Sequence, residues 1–159
     1  LPGMEGLRHR VGGLEKAPEG NLSTDPEIHQ LMVNNRQEKV NRVANYIPDQ
    51  EVQGNPDADL LVVGWGGTSG ALTLAVEEMN KEGRKVAYTH FNYICPLPKN
   101  TGDLLRRYKK IVVCELNNGQ FAGYLRTQFP ECPMTQYNKV MGLPFEVSEL
   151  KEHFNSLIG

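Results

Sequence analysis

The residues best suited to chemistry lie in a glycine-rich turn that follows an apolar run. The run and the turn read Leu60-Leu61-Val62-Val63-Gly64-Trp65-Gly66-Gly67-Thr68-Ser69-Gly70. This pattern predicts a buried strand, a tight turn and the start of a helix. Main-chain amides at such a helix start attract anions, and glycine lets a ligand approach the backbone. The first function to consider is therefore the binding of a phosphate-bearing nucleotide.

The spacing of the glycines argues against a dinucleotide site. A G-x-G-x-x-G pattern that begins at Gly64 would need a glycine at position 69, where the chain has Ser69. The acidic residue that binds ribose would be expected at the end of the next strand, but that strand ends in Thr89-His90-Phe91. We therefore interpret the glycines as serving a tight turn and close helix packing, with a bound anion as the alternative.

Polar residues also follow the other two strongly apolar runs, at 85–91 and 110–115. The carboxyl ends of parallel strands meet at one edge of a sheet, where ligands and partners bind. We therefore predict a rim composed of Gly66, Gly67, Thr68, Ser69, His90, Asn92, Tyr93, Glu115, Asn117, Asn118, Gly119 and Gln120. This set contains no nucleophile paired with a base, so it does not indicate a hydrolase.

Two titratable residues of the predicted rim have alternative interpretations. Glu115 ends an apolar strand, where a carboxylate is costly unless it is paired or exposed. We expect Glu115 to accept hydrogen bonds from neighbouring turn amides or from a partner subunit, with a catalytic carboxylate as the alternative. We expect His90 to be a hydrogen-bonded core or rim residue, with a catalytic base as the alternative. Asn117, Asn118 and Gly119 are first of all turn formers.

The elements that must position these residues alternate between strand and helix. Strands are predicted at 60–64, 85–91, 110–115 and, more weakly, 134–139. Helices are predicted at 69–82, 101–108 and 119–129, and a last one begins at a Ser148 cap. This alternation predicts an α/β fold, in which helices cover both faces of a parallel sheet.

Two further segments precede the predicted α/β domain, which spans residues 59–159. Residues 1–23 contain five glycines and two prolines and are predicted to form an extended arm. Residues 24–58 are predicted to form a long helix, capped by Thr24, and a linker. Because the first residue is Leu1 and not methionine, we expect a fragment or a processed chain.

Charge and composition exclude several partners and sites. The net charge of −2 and the isoelectric point near 6.1 indicate neither a nucleic-acid partner nor an anionic membrane. No apolar run approaches the ~20 residues that span a bilayer. Cys95, Cys114 and Cys132 form no C-x-x-C pair and the four histidines are scattered, so no metal site is indicated. We expect reduced thiols and a cytoplasmic location.

Several short motifs, taken together, resemble one enzyme family. The ordered set is Gly3-Met4-Glu5-Gly6, His9-Arg10-Val11-Gly12-Gly13-Leu14-Glu15, Thr24-Asp25-Pro26-Glu27, Gly64-Trp65-Gly66-Gly67-Thr68, Pro96-Leu97-Pro98 and Glu115-Leu116-Asn117-Asn118-Gly119-Gln120. Over essentially the whole chain, it resembles the C-terminal part of the alpha subunit of 2-oxoacid:ferredoxin oxidoreductases, most closely the 2-oxoglutarate type. Each motif alone is weak, but their combination is specific.

The resemblance implies a domain of the transketolase C-terminal type. Such a domain is a three-layer α/β/α sandwich with a mostly parallel five-stranded sheet and one antiparallel edge strand. The residue patterns predict four strands, so the fifth would have to come from the arm or the linker.

The resemblance also implies an activity for the whole enzyme. Enzymes of this family decarboxylate a 2-oxoacid on thiamine diphosphate with Mg²⁺, pass electrons through iron–sulfur clusters to ferredoxin, and deliver the acyl group to coenzyme A. This chain has no cysteine set for a cluster and no acidic metal motif for a diphosphate. The resemblance implies that the upstream domain and the beta subunit hold the cofactor, so we expect this chain to bind none and to be non-catalytic by itself. The implied partners are the upstream domains of the alpha subunit, the beta subunit and, through the holoenzyme, ferredoxin. Arg8, His9 and Arg10 are candidates for the active-site side of that assembly.

Two other functions stay open at this point. One is a stand-alone nucleotide-binding α/β module that uses the turn at residues 64–70. The other is a homodimeric binding module that assembles through the helix predicted at 24–46. The family hypothesis differs from the first of these because it predicts that the chain alone binds neither thiamine diphosphate nor nicotinamide.

Overall fold

The computed structural model describes residues 3–6 and 12–159 of the chain. The chain divides into two compact units, Leu1–Val43 and Ala44–Gly159. No helix among the described residues is both long enough and apolar enough to cross a bilayer. The division into an arm (1–23), a helix and linker (24–58) and an α/β domain (59–159) stays a proposal.

The first unit is built around helix α1, Pro26–Arg42. Its N-cap is Asp25 and not the predicted Thr24, because the Asp25 carboxylate accepts hydrogen bonds from the amides of Glu27 and Ile28, at 2.8 and 3.1 Å. A carboxylate at this position also interacts favourably with the positive end of the helix dipole. No residue of α1 is buried, so the helix gains little from packing within its own unit.

A charged contact within this unit joins Glu15 to α1. The guanidinium of Arg36 donates to both oxygens of the Glu15 carboxylate at 2.9 and 3.0 Å, and His29 Nδ1 lies 3.0 Å from Glu15 Oε2. The bidentate hydrogen bond from Arg36 is the main cause that lowers the pKa of Glu15 to about 2. Glu15 is therefore ionised at any pH above about 3.

The depressed pKa of Glu15 gives a prediction for acid solution. Because the folded pKa lies below the ordinary value of 4.5, the unfolded state binds more protons between these values. The contact between Glu15 and Arg36 therefore contributes fully to the stability of the folded state above about pH 4.5. This contribution is lost as the pH falls through about 2. Replacing Arg36 with glutamine should return the titration midpoint of Glu15 toward 4.5. Carbon-detected NMR titration measures both midpoints, and equal values in the two proteins would contradict the assignment.

The second unit contains a five-stranded sheet in the order β1-β3-β2-β4-β5. Its strands are β1 Gln53–Gly54, β2 Leu60–Trp65, β3 Val86–Phe91, β4 Ile111–Glu115 and β5 Thr135–Asn138. All neighbouring pairs are parallel except β1 and β3, which are antiparallel. The α/β class and the single antiparallel edge strand are thus confirmed. The fifth strand comes from the segment predicted to be a linker.

Helices cover both faces of this sheet, as the sandwich prediction requires. The helices are α2 Ser69–Lys81, α3 Thr101–Leu105, α4 Gln120–Gln128 and α5 Val147–Ile158. Helices α2 and α5 pack with one set of alternate strand residues, including Leu60 and Val62. Helices α3 and α4 pack with the other set, including Leu61 and Val63. The apolar residues of β2, β3 and β4 are therefore buried against helices, except Trp65, which is partly buried.

The start of α5 differs from the prediction. Glu146 is the N-cap, and the Glu149 carboxylate accepts a hydrogen bond from the Glu146 amide at 3.0 Å. The predicted cap, Ser148, lies inside the first turn instead. A glutamate three residues after the cap is the usual partner for the cap amide, and here it fixes the start of the helix two residues earlier.

Candidate functional site at the carboxyl rim of the sheet

The chain connections place a topological switch point between β2 and β4. From β2 the chain passes through α2 to β3 on one side, and it then returns through α3 to β4 on the other side. Ligands of open α/β sheets bind at the carboxyl ends of the strands that flank such a point. The residues that end β2 and β4 are Trp65 and Glu115. These two side chains therefore decide what the switch point can bind.

Glu115 is fully buried and all of its contacts are internal. Its Oε2 accepts hydrogen bonds from the Trp65 indole Nε1 at 3.1 Å and from the Phe121 amide at 2.9 Å. Its Oε1 accepts a hydrogen bond from the Ala122 amide at 2.8 Å. The prediction that Glu115 accepts hydrogen bonds from nearby amides is confirmed. A buried carboxylate bound to three donors stabilises the start of α4.

The two amides before Phe121 are also satisfied by the protein itself. Asn117 Oδ1 accepts hydrogen bonds from the amides of Gly119 and Gln120, at 2.7 and 3.2 Å. Together with Glu115, it therefore occupies all four amides at the start of α4. Those amides are the groups that would otherwise hold a phosphate. The geometry consequently leaves no anion site at the start of this helix.

The glycine-rich turn after β2 has two kinds of glycine. An added Cβ at Gly64 would lie 2.4 Å from Leu72 Cδ1 and 2.8 Å from Thr68 Oγ1, so close packing against α2 requires glycine there. Gly66 has a φ of +60°, which favours glycine in the turn. An added Cβ at Gly67 would meet no atom within 4 Å. The packing interpretation is confirmed at Gly64, whereas Gly67 faces open space.

The cleft beside this turn is small. It has a volume of about 150 Å³ and is lined by Trp65, Gly66, Gly67, Thr68, Leu116 and Asn117. Pockets that enclose a small-molecule ligand have volumes of roughly 300–1,000 Å³. The hydroxyl of Thr68 is also engaged, since it donates to the Trp65 carbonyl at 2.9 Å and lies 3.2 Å from the Trp65 amide. The cleft therefore does not favour a nucleotide.

His90 lies apart from this cleft, at the end of β3. Its Nδ1 is 2.7 Å from the Tyr88 hydroxyl, which confirms the prediction of a hydrogen-bonded histidine. Burial lowers the pKa of His90 below its usual range, so the ring is neutral near pH 7. His90, Ser69 and Asn92 line a separate surface cavity of about 540 Å³. The predicted single rim thus has two parts.

Two amide residues that the sequence patterns did not single out attach the segment before β1 to the sheet. The Asn100 side chain accepts from the Gln50 amide at 2.8 Å and donates to the Gln50 carbonyl at 2.9 Å. The Gln50 side chain donates to Thr89 Oγ1 and to the His90 carbonyl, both at 2.8 Å. These bonds place residues 48–53 along one wall of the larger cavity.

The remaining predicted rim residues are placed as follows. Asn118 and Gln120 are exposed, and Gly119 is buried with a φ of +88°. Arg8, His9 and Arg10 lie outside the described residues. The part missed most clearly is Trp65, the sole tryptophan of the chain. An indole N–H at a strand end needs a hydrogen-bond acceptor when it is partly buried. Glu115, a carboxylate at the end of another apolar strand, was the signal in the sequence that could have predicted this acceptor.

The donor set does not fit the metals and clusters that the resemblance implies. Cys114 and Cys132 are buried free thiols, and Cys95 is an exposed one. Burial raises the pKa of the Cys114 thiol far above its usual range, which disfavours the thiolate that binds metals. Over residues 3–6 and 12–159, no group of three His, Cys, Asp or Glu side chains is placed to hold a metal ion. An iron–sulfur cluster or a magnesium ion therefore has no suitable ligand set in this part of the chain.

Comparisons with known proteins agree with this fold. A family model described as pyruvate:ferredoxin oxidoreductase core domain II matches residues 58–147. The chain is 41% identical over 152 residues to the 2-oxoglutarate oxidoreductase subunit KorA of Mycobacterium tuberculosis, and the match covers 94% of this chain and 23% of that protein. It is 30% identical over 118 residues to the 2-oxoglutarate synthase subunit KorA of Methanocaldococcus jannaschii, covering 73% and 31%.

A solved structure is also similar over nearly the whole chain. It is a 2-oxoglutarate:ferredoxin oxidoreductase from Magnetococcus marinus with 2-oxoglutarate, coenzyme A and succinyl-CoA bound. The TM-score is 0.87 at 28% sequence identity, and the match covers 99% of this chain and 28% of that one. The chain therefore spans less than a third of the length of each of these relatives.

Proposed function

The chain belongs to the pyruvate:ferredoxin oxidoreductase core domain II family, and from this membership we propose that it is an interface domain of a thiamine-dependent 2-oxoglutarate:ferredoxin oxidoreductase. The domain belongs to the alpha subunit and is non-catalytic by itself. The assembled enzyme oxidatively decarboxylates a 2-oxoacid to an acyl-CoA. Thiamine diphosphate, magnesium and the iron–sulfur cluster are held by the other parts of that enzyme, and coenzyme A is its co-substrate.

The names of the relatives support the choice of enzyme and partners. The two KorA relatives are named as subunits of a 2-oxoglutarate oxidoreductase and a 2-oxoglutarate synthase. Two proteins of Aeropyrum pernix and Saccharolobus solfataricus are named as alpha subunits of 2-oxoacid:ferredoxin oxidoreductases. The proposed partners are accordingly the upstream domains of the same subunit, a beta subunit and, through the holoenzyme, ferredoxin.

One observation carries the non-catalytic role, namely the closed switch point between β2 and β4. The Glu115 carboxylate, which is the group there best suited to chemistry, is bound to the Trp65 indole and to the amides of Phe121 and Ala122. A carboxylate engaged in this way stabilises the fold and is not available to a substrate. This arrangement disfavours the stand-alone nucleotide-binding module. The exposed loops around the switch point are then the surface that contacts other parts of the enzyme.

The proposal includes a cytoplasmic location without nucleic-acid or membrane partners. All three cysteines are free thiols, as is usual in reducing compartments. The net charge of −2 does not favour a polyanionic partner.

A substitution at Gly67 tests the interface role. Gly67 is exposed, and an added Cβ there meets no atom within 4 Å, so Gly67→Glu should leave the fold intact. If the rim contacts the beta subunit, the new charged side chain should weaken subunit association at least about tenfold. Sedimentation of the assembled subunits measures this affinity. The rate of 2-oxoglutarate-dependent viologen reduction should fall with the fraction of assembled enzyme.

The control for this test is Gly123→Glu. Gly123 is also exposed and has open space for a Cβ, but it belongs to α4 and not to the glycine turn or to the predicted rim. Unchanged association in both variants would contradict an interface at the rim. Tight binding of thiamine diphosphate by the 159-residue chain alone, measured by calorimetry, would contradict the non-catalytic role.

A further inference from the structure

An aromatic cluster between β5 and α5 contains a titratable group that the proposed function does not use. The ring of His153, on α5, stacks on the ring of Tyr137, on β5, with centroids 4.2 Å apart and planes inclined by 16°. Tyr137 also stacks on Phe145, at 5.5 Å and 21°. His153 contacts the ring of Phe154 at 6.3 Å, edge to face. These rings join the last strand, and the segment that follows it, to the last helix.

The surroundings of His153 Nε2 require the neutral form of the ring. This nitrogen is buried, and no residue of the described chain forms a hydrogen bond with it. A neutral imidazole can carry its proton on Nδ1 and leave Nε2 bare, whereas an imidazolium carries a proton on both nitrogens. Protonation in place would therefore bury a charged N–H group that has no acceptor, which is costly. Stacking on Tyr137 attracts a cation only weakly and supplies no acceptor.

The other ionisable groups around this stack keep their charge state in mildly acidic solution or do not decide it. Those that interact electrostatically with Tyr137 are Glu149, Lys139, Glu152 and Cys114. Lys139 forms an ion pair with Glu149 at 2.7 Å and lowers its pKa, so this carboxylate stays ionised. Burial raises the pKa of Tyr137, so its hydroxyl stays neutral. Histidine is the side chain whose charge ordinarily changes between pH 5 and 8, which leaves His153 as the sensitive group of this cluster.

The direction of the pH dependence follows from burial of the ring. Burial lowers the pKa of His153 below its usual value of 6.5. An opened state, in which water surrounds the ring, regains the usual value and therefore binds more protons between the two pKa values. The stack is then most stable above about pH 6.5, and it loses stability as the pH falls toward the lowered pKa.

We propose that His153 is an acid-sensitive switch that holds β5 and residues 139–146 against α5 at neutral pH and releases them when it gains a proton. Strand β5 depends on this contact because it pairs with β4 alone and none of its four residues is buried. The following segment exposes Val140, Met141 and Leu143, so apolar packing of these side chains does not hold it in place. The ion pair between Lys139 and Glu149 persists, so the release is a local opening.

Hydrogen exchange of the full chain, measured by mass spectrometry, tests this switch. From about pH 7.5 to about pH 5.5, after correction for the intrinsic rate at each pH, exchange of residues 135–146 should become about fivefold to tenfold faster. Residues 60–65 of the central strand β2 should keep their protection. His153→Phe keeps a stacked ring that cannot be protonated, and its exchange over residues 135–146 should agree within about twofold at the two pH values.

His90→Gln is the matched control, because burial also lowers the pKa of His90, which lies on β3 and outside this cluster. It should keep the acid-induced exchange of residues 135–146. NMR titration of the His153 ring in the parent chain gives a second measurement that needs no variant, and its midpoint should lie below 6.5. A midpoint at or above this value, or equal pH dependence of exchange in the parent and in His153→Phe, would overturn the inference. Neither result bears on the proposed function.

Discussion

Replacing Glu115 with alanine is expected to lower the free energy of unfolding of the unit Ala44–Gly159 by about 4 kcal/mol. The substitution leaves the amides of Phe121 and Ala122 and the indole of Trp65 without their acceptor. Glu115 is fully buried, so water does not readily replace the lost bonds. Urea denaturation followed by circular dichroism measures this loss. The fluorescence of Trp65, the sole tryptophan, should also change because its hydrogen bond is removed.

Two further variants separate the parts of this effect. Glu115→Gln keeps the shape but turns one acceptor oxygen into a donor, so it should cost about 2 kcal/mol. Asn117→Ala removes the acceptor for the amides of Gly119 and Gln120, and it should cost only about 1 kcal/mol because Gln120 is exposed. Equal losses for Glu115→Ala and Asn117→Ala would contradict the central role of the buried carboxylate.

Replacing Gly64 with alanine is expected to lower the free energy of unfolding of the same unit by about 3 kcal/mol. The new methyl group would lie 2.4 Å from Leu72 Cδ1 and 2.8 Å from Thr68 Oγ1. Leu72 is fully buried in the core, so its side chain has little room to move. Helix α2 must shift, which disturbs the turn at the end of β2. Thermal unfolding should show a correspondingly lower midpoint.

Gly67→Ala is the matched control for this prediction. It adds the same methyl group three residues later, where no atom lies within 4 Å, and it should leave the unfolding midpoint nearly unchanged. Similar losses at Gly64 and Gly67 would contradict the conclusion that close packing requires glycine at position 64.

The sequence allowed the central part of the fold to be predicted, because its strands are continuous apolar runs. The segments 60–64, 85–91 and 110–115 became β2, β3 and β4 with shifts of one residue at most. Strand β1 escaped prediction since Gln53–Gly54 contains two residues, neither apolar. It forms because β3 offers an unpaired edge and because Gln50 is anchored nearby, and both are tertiary facts.

The candidate site was predictable to a similar degree. The cost of burying a carboxylate at the end of a strand was enough to predict that Glu115 accepts hydrogen bonds. Its partner Trp65 is 50 residues away in the sequence, as is Asn100 from Gln50, and no local pattern links either pair. The predicted caps at Thr24 and Ser148 were wrong. Asp25, and not Thr24, accepts the hydrogen bonds from the amides at the start of α1. Glu146, and not Ser148, is the N-cap of α5. Local sequence patterns therefore predict which group needs a hydrogen-bond partner, whereas tertiary packing determines which residue becomes that partner.

The short antiparallel strand β1 has a consequence for how another protein can be recognised beside the larger cavity. Strand β1 covers part of the outer edge of β3. Farther along the same strand, the Gln50 side chain donates a hydrogen bond to the His90 carbonyl. A visiting polypeptide consequently cannot pair with β3 along the part of its edge that β1 and Gln50 occupy. A strand added on this flank would have to pair with the two-residue strand β1, which offers a very short row of main-chain groups.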